Sequence, residues 1–267
     1  MKRIYLEITN ACNLDCPFCT NEKGNNYLSL EDIKLYLPQI KEYTDNIYLH
    51  VLGEPLLHPN INEIFEEAEK NNLNINLVTN GVLLNKDILM YKSLRKLSIS
   101  IHSINNILID KRYYETLLDI IKDNNDKYIE LRFYDEDNLS ETNKDFLKKL
   151  KENYPFEKTD RHNSYRLKNN VYVLFNELFK WPNIEDEIVN EKGYCHGSID
   201  QIAILSNKDV TICCLDPKAY NKIGNLKNNT LKEMLDSKKY LDIKNNMKNH
   251  IISCDLCKRC TYRSRFD

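Results

Sequence analysis

Between residue 3 and about residue 135, stretches in which every second residue is apolar alternate with stretches whose apolar residues recur at helical spacing. The period-two segments predict strands over 3–9, 47–52, 74–79, 96–102 and 128–134, with a sixth over 171–175. Ile4, Leu6 and Ile8 alternate with Tyr5, Glu7 and Thr9; Ile47, Leu49 and Val51 with Tyr48 and His50; Leu97, Ile99 and Ile101 with Ser98, Ser100 and His102; Ile129, Leu131 and Phe133 with Glu130, Arg132 and Tyr134. Between strands, Ile61, Ile64, Phe65 and Ala68 keep helical spacing, and Ser29 is placed to cap a helix opening at Leu30. Pro38 predicts a kink or break after Leu37, because proline removes a helical N–H and crowds the preceding turn. Strands alternating with helices are the signature of βα units around a parallel sheet.

A parallel sheet covered on both faces normally reads as continuous apolar runs. Here four strands keep one polar face. If the apolar faces pack under outer helices, the polar faces converge inside a curved sheet and line a polar cavity, where Glu7, Glu54, Glu130 and Arg132 need partners or a polar ligand. An antiparallel sheet with one solvated face gives the same alternation, and the intervening helices argue against it. His50 and His102 face the same interior, either as substrate contacts or as satisfied core histidines.

The 267 residues suffice for one sizeable domain and a small appendage. A net charge of -2 gives the whole molecule no field that would draw it to nucleic acid or membrane. Met1 to Glu7 lacks an apolar stretch of secretory length, and no run approaches the roughly 18 apolar residues of a membrane span. The nine cysteines form two groups, Cys12, Cys16 and Cys19 at one end and Cys195, Cys213, Cys214, Cys254, Cys257 and Cys260 at the other. An odd number split this way suits reduced thiols and a cytoplasmic location better than a disulfide framework.

Cys12, Cys16 and Cys19 follow a CxxxCxxC spacing. Three thiolates can hold three irons of a cubane cluster and leave the fourth iron open, whereas an electron-transfer cluster normally takes four. A zinc knuckle would want a nearby fourth ligand, and no His occurs before His50. The spacing, with Phe18 before the third cysteine and with Thr9-Asn10, Asn13 and Leu14 around it, resembles the cluster-binding loop of radical SAM enzymes.

The resemblance implies a partial (β/α)6 TIM-type barrel with its site at the C-terminal ends of the strands, a 4Fe-4S cluster, and S-adenosylmethionine (SAM) chelating the open iron. Leu52-Gly53-Glu54-Pro55 is similar to the family's GGEP motif, so Gly53 and Glu54 would meet the SAM amino group. Ser100 would meet the SAM ribose or carboxylate, Arg132 the carboxylate unless it balances Glu130, and Phe18 the adenine or the cluster. Asn80, in Thr79-Asn80-Gly81, also matches the family pattern.

Beyond Trp181-Pro182 the alternation ends, which divides the chain into a barrel, 1–185, and a small cysteine-rich β-hairpin plus helix module, 186–267. Gln201–Leu205 and Val210–Cys213 read as a hairpin, and Thr230-Leu231-Lys232-Glu233 as a capping box. The module resembles the twitch or SPASM extension of radical SAM enzymes, with Lys208 where a glycine is usual. That likeness implies one auxiliary 4Fe-4S cluster, its ligands read as Cys195, Cys213, Cys257 and Cys260, with Cys214 or Cys254 as substitutes for one of them. A four-cysteine zinc site is the alternative.

Together these imply an enzyme that cleaves SAM reductively to a 5'-deoxyadenosyl radical, supplied with electrons by a small donor such as flavodoxin or ferredoxin. The substrate class stays open among peptides or proteins, nucleosides or RNA, and small molecules; no recognition domain precedes Met1, which counts against leader-dependent peptide maturation. The alternative from another class is an iron-sulfur carrier or scaffold without SAM chemistry. The basic, aromatic end Lys258 to Phe266 reads as a solvated tail before it reads as an RNA contact.

Overall fold

The computed structural model describes residues 1–20, 24–104, 110–134 and 139–266. Strands β1 (Arg3–Leu6), β2 (Asn46–Tyr48), β3 (Asn74–Thr79), β4 (Leu94–Ser100) and β5 (Tyr128–Tyr134) pair parallel in chain order. The crossovers carry α1 (Leu30–Lys41), α2 (Ile61–Lys70), a short 3-10 segment Lys86–Met90 and α3 (Arg112–Asp123). After β5 come α4 (Glu141–Asn153) and a hairpin of β6 (Glu157–Lys158) and β7 (Ser164–Lys168); β8 (Val171–Asn176) then pairs parallel with β5 and antiparallel with β7.

The chain next returns to the opposite side of the sheet. There β9 (Gln201–Ile204) lies parallel to β1, followed by β10 (Asp209–Thr211) and β11 (Lys222–Asn225), both antiparallel to their neighbours. Helices α5 (Leu231–Leu235), α6 (Lys238–Lys248) and α7 (Asp255–Lys258) complete it. The ladder runs β11-β10-β9-β1-β2-β3-β4-β5-β8-β7-β6, an open sheet whose parallel strands β1 to β5 and β8 form a partial barrel. Among the described residues no helix is long and apolar enough to cross a membrane.

The expected alternation sorts the two faces. Ile4, Leu6, Ile47, Leu97, Ile99, Ile129, Leu131 and Phe133 are fully buried under the helices, in one core cluster with Ile33, Leu37, Phe65 and Leu117. Their alternates Tyr5, Tyr48, His50, Ser98, Ser100, Glu130 and Arg132 line an interior chamber.

Both expected caps form. Ser29 Oγ accepts from Asp32 N at 3.1 Å, and Thr230 Oγ1 from Glu233 N at 3.2 Å. The break at Pro38 does not occur, since α1 runs through to Lys41. Pro38 is exposed, so water can reach the carbonyl its ring deprives of a partner, while Leu37 and Ile40 beside it are anchored in the core. Strand β2 is shorter than its apolar pattern: it ends at Tyr48, and beyond it the Leu52 N–H meets the Glu7 carboxylate at 2.9 Å.

Lys208, where glycine was expected, does adopt a positive φ of 74°. Its Nζ reaches Asp32 on α1 at 2.8 Å, so an ion pair between the hairpin and the barrel offsets a conformation that side chains disfavour.

Candidate active site

The loop after β1 is held down by residues that follow three other strands. Glu54 N, after β2, donates to Ala11 O at 2.8 Å. Asn80 Nδ2, after β3, donates to Asn13 Oδ1 at 2.8 Å, and Cys16 Sγ donates to Ser103 O, after β4, at 3.5 Å. Cys12, Cys16 and Cys19 thereby line one open cavity of about 770 Å³ together with Gly53, Glu54, Asn80 and Ser100. Trp181 closes one side, a role that nothing around it in the sequence signals.

Gly53 has φ +77°, and a Cβ there would stand 2.4 Å from Thr9 O and 2.9 Å from Ala11 O. The close approach it permits is to the backbone of the cysteine loop. Glu54 is 2% exposed and its carboxylate is largely engaged: Oε1 accepts from Thr79 Oγ1 at 2.7 Å and Leu56 N at 3.1 Å, Oε2 from Asn80 N at 2.7 Å. Burial nevertheless outweighs these bonds and raises its pKa. Of a carboxylate's roughly four acceptor positions, about one is left for the cavity.

Ser100 lines both this cavity and the interior chamber, and its Oγ accepts from Arg132 Nη2 at 2.5 Å. Arg132 lines the chamber and not the cysteine cavity, and Glu130 is the first of the charges that oppose the lowering of its pKa by burial. That carboxylate is bound by Lys96 at 2.8 Å and Arg161 at 2.9 Å, a pair the sequence reading missed because Arg161 sits in the β6–β7 turn, outside any periodic pattern. Burial would raise the Glu130 pKa, but the two cations outweigh it and hold it low. Phe18 stands edge-on to His102 and Tyr134, between the cavity and the chamber.

The two interior histidines differ. His102 Nδ1 lies 3.1 Å from Arg132 O and its ring stacks on Tyr134 at 3.8 Å, the satisfied case. His50 Nδ1 is buried without a partner, and burial beside Arg132 lowers its pKa to about 3, so the ring is neutral. Glu7 finds partners within the protein: Oε1 accepts from Ser206 Oγ at 2.7 Å and Ser206 N at 3.1 Å, Oε2 from Leu52 N. It straps β1 to the end of β2 and to the β9–β10 turn.

The C-terminal cysteines surround a second cavity, of about 900 Å³, lined by Cys195, Cys213, Cys214, Cys257 and Cys260 but not by Cys254. N–H donors point at the sulfurs of Cys195 (Gly197 N, 3.5 Å), Cys213 (Leu215 N, 3.4 Å) and Cys257 (Asn221 Nδ2, 3.6 Å), and backbone N–H groups at 262 and 263 at that of Cys260. Gln201 Nε2 stands 3.7 Å from the sulfurs of both Cys213 and Cys214, so Cys214 meets a donor as well. Such donors stabilise metal-bound thiolates, and the sulfurs around this cavity suit an iron-sulfur cluster without the donors selecting four of the five. Burial pushes the Cys195 thiol up to about 12 and raises Cys260 as well, which favours the protonated form of each. Cys214 bonds to Cys213 and Tyr5, and Cys254 bonds to Cys257 from outside the cavity.

The reading of the chain end as a solvated tail fails. Arg263 is 2% exposed, its Nη1 donates to Lys192 O at 3.1 Å, and Tyr262 and Phe266 line the second cavity.

The family model of the radical SAM superfamily matches residues 6–156, and that of an iron-sulfur cluster-binding domain, SPASM, matches residues 195–261. A tungsten-containing aldehyde ferredoxin oxidoreductase cofactor-modifying protein of Pyrococcus furiosus is 33% identical over 110 residues, 38% of this chain and 29% of that protein. A probable GTP 3',8-cyclase of Saccharolobus solfataricus is 32% identical over 112 residues, 39% of this chain and 36% of its own length. The chain thus matches about a third of the length of these curated relatives. The crystal structure of BtrN in complex with AdoMet and 2-DOIA superposes with a TM-score of 0.65 over 98% of this chain and 93% of that one, at 16% identity, a likeness of fold.

Proposed function

The chain belongs to the radical SAM superfamily and carries a SPASM-type iron-sulfur cluster-binding domain, and from that premise we propose that it is a radical SAM enzyme with one auxiliary 4Fe-4S cluster. The observation that carries the reading is the convergence of Cys12, Cys16 and Cys19 with Glu54, Asn80 and Ser100 on a single cavity at the strand ends. Residues 1–185 form the SAM-binding part in this reading and residues 186–267 the auxiliary part.

The cluster and SAM, when bound, supply a 5'-deoxyadenosyl radical that abstracts hydrogen from substrate. The protein's own residues orient and enclose. Gly53 lets the cysteine loop lie against the end of β2, and Glu54 with Asn80 fixes the loop to the end of β3. The remaining acceptor position of Glu54 receives the SAM ammonium, while Ser100 and Arg132 take the carboxylate as a pre-formed pair. Phe18 and Trp181 wall the cavity and exclude water, which protects a reactive intermediate.

Cys195, Cys213, Cys257 and Cys260 hold the auxiliary cluster. Four thiolates leave it no open iron and suit it to electron transfer. A flavodoxin or ferredoxin is the proposed electron donor.

The test is anaerobic. Protein reconstituted with iron and sulfide, then given dithionite and SAM, is expected to release 5'-deoxyadenosine and to hold about eight irons per chain. Intact clusters with no 5'-deoxyadenosine would favour an iron-sulfur carrier. Alkylation of the reconstituted protein should modify Cys214 and Cys254 and spare the other C-terminal cysteines; protection of Cys214 or Cys254 would reassign the ligands.

A further inference from the structure

The interior chamber shares Phe18, Cys19, His50 and Ser100 with the SAM cavity, and its lining carries an excess of positive charge. Arg3, Lys96, Arg132, Arg161 and Arg265 face two carboxylates, Glu130 and Glu177. Arg265 and Glu177 lie 3.7 Å apart, and Arg132 is assigned above to the SAM carboxylate with Ser100. Arg3 borders the auxiliary cysteines and hydrogen-bonds to neutral Gln201 at 3.1 Å. That leaves Lys96 and Arg161 sharing one carboxylate, Glu130, on a part of the wall that lines neither cysteine cavity.

Two cations held by one carboxylate in a partly desolvated wall retain an uncompensated charge. Desolvation pulls the Lys96 pKa down although Glu130 opposes it, so the lysine is short of negative partners. Glu130 is 4% exposed and serves as the hub, with Ser98 Oγ donating to it at 3.1 Å. Arg161 reaches in from the β6–β7 turn with its side chain 56% exposed, so it can swing to a ligand without disturbing the barrel. His50, in the same chamber, has its Nδ1 unpartnered.

We infer that the substrate carries an anionic group, a carboxylate or a phosphate, which docks on Lys96 and Arg161 at the wall built around Glu130. This deepens the radical SAM reading and rests on it. Tyr5, Tyr48 and Trp181 along the same chamber suit a planar body attached to that anion.

The full-length protein, reconstituted and saturated with SAM, is titrated calorimetrically with phenyl phosphate and, separately, with phenylacetate; the two arms distinguish phosphate from carboxylate. At least one anion is expected to bind, more weakly as salt rises. Arg161→Ala, an exposed side chain whose loss leaves the core intact, should weaken that binding about tenfold or more. Lys96→Met should do the same. Glu130→Gln removes the competing carboxylate and should tighten binding several-fold, the opposite of what damage to the fold would produce.

Failure of both anions to bind, or affinities indifferent to these substitutions, overturns the inference. Release of 5'-deoxyadenosine by the wild-type protein without substrate is measured alongside. If it is absent while anion binding responds as expected, the radical SAM reading fails and the anion site stands.

Discussion

The two groups of cysteines are brought together in opposite ways. Cys12, Cys16 and Cys19 come from a single loop with no regular secondary structure, and distant residues after β2, β3 and β4 tie that loop down. Cys195, Cys213, Cys257 and Cys260 come from separate parts of the chain, the last two from α7 and the turn after it, and meet only when β9, β10 and the helices have docked. A loop site keeps its ligands together by covalent neighbourhood and can leave a metal open. A site assembled by tertiary structure surrounds its metal and hides it. Under the proposed function, proximity of ligands in sequence would accompany the reactive centre, and proximity by folding the enclosed one.

The sharpest way to break this comparison is to remove one cysteine from each group. Cys16→Ala should abolish 5'-deoxyadenosine formation while about half the iron remains; Cys257→Ala should also lose about half the iron yet still cleave SAM measurably without substrate. Iron analysis with chromatography of the nucleoside products decides it, and loss of both clusters in either variant would show that the sites are coupled.

A smaller effect tests the tie-down of the loop. Gly53→Ala should destabilise the protein by about 1–3 kcal/mol through its positive φ alone, with the 2.4 Å contact to Thr9 O added. Denaturant unfolding reads the loss, and iron at the loop site should fall before iron at the auxiliary site. Glu7→Ala tests the strap between the halves, since it strands the buried Leu52 and Ser206 donors. It should cost about 1–3 kcal/mol, read in the same way.

The smallest effect is a pH dependence. His50 is neutral in the fold with its pKa lowered to about 3, while the unfolded chain takes up a proton near pH 6.5. Stability should therefore fall as pH drops from about 6.5 toward 3, because the unfolded state binds the extra proton. Between pH 6.5 and 5.5 the His50 share is at most about 1 kcal/mol, and His50→Gln should flatten the slope by up to one proton.

Much of the barrel could be read from period two alone, because apolar residues at every second position must face one way in a strand. The loop cysteines were legible for a related reason: their spacing is local. What escaped depends on partners far along the chain. Beyond β2 the Leu52 N–H meets Glu7, 45 residues earlier, and Glu130 meets Arg161 across 31 residues. Burial of Arg263 likewise depends on Lys192, 71 residues before it, so charge pattern alone misread the end as solvated. Pro38 defeated the helix rule because it falls on the solvent side of an anchored helix. Which of the six C-terminal cysteines face one cavity was not legible either, because that depends on tertiary packing.

One consequence follows from the place of β1 between β2 and β9. Residues 3 to 6 pair with residues 201 to 204, so as the chain leaves the ribosome this strand keeps one hydrogen-bonding edge bare until nearly two hundred further residues have been made. A bare apolar edge is where nascent chains associate wrongly. Completion of the auxiliary module therefore seals the earliest strand of the barrel, and truncation before residue 201 should yield a protein that aggregates, with its barrel strands all present.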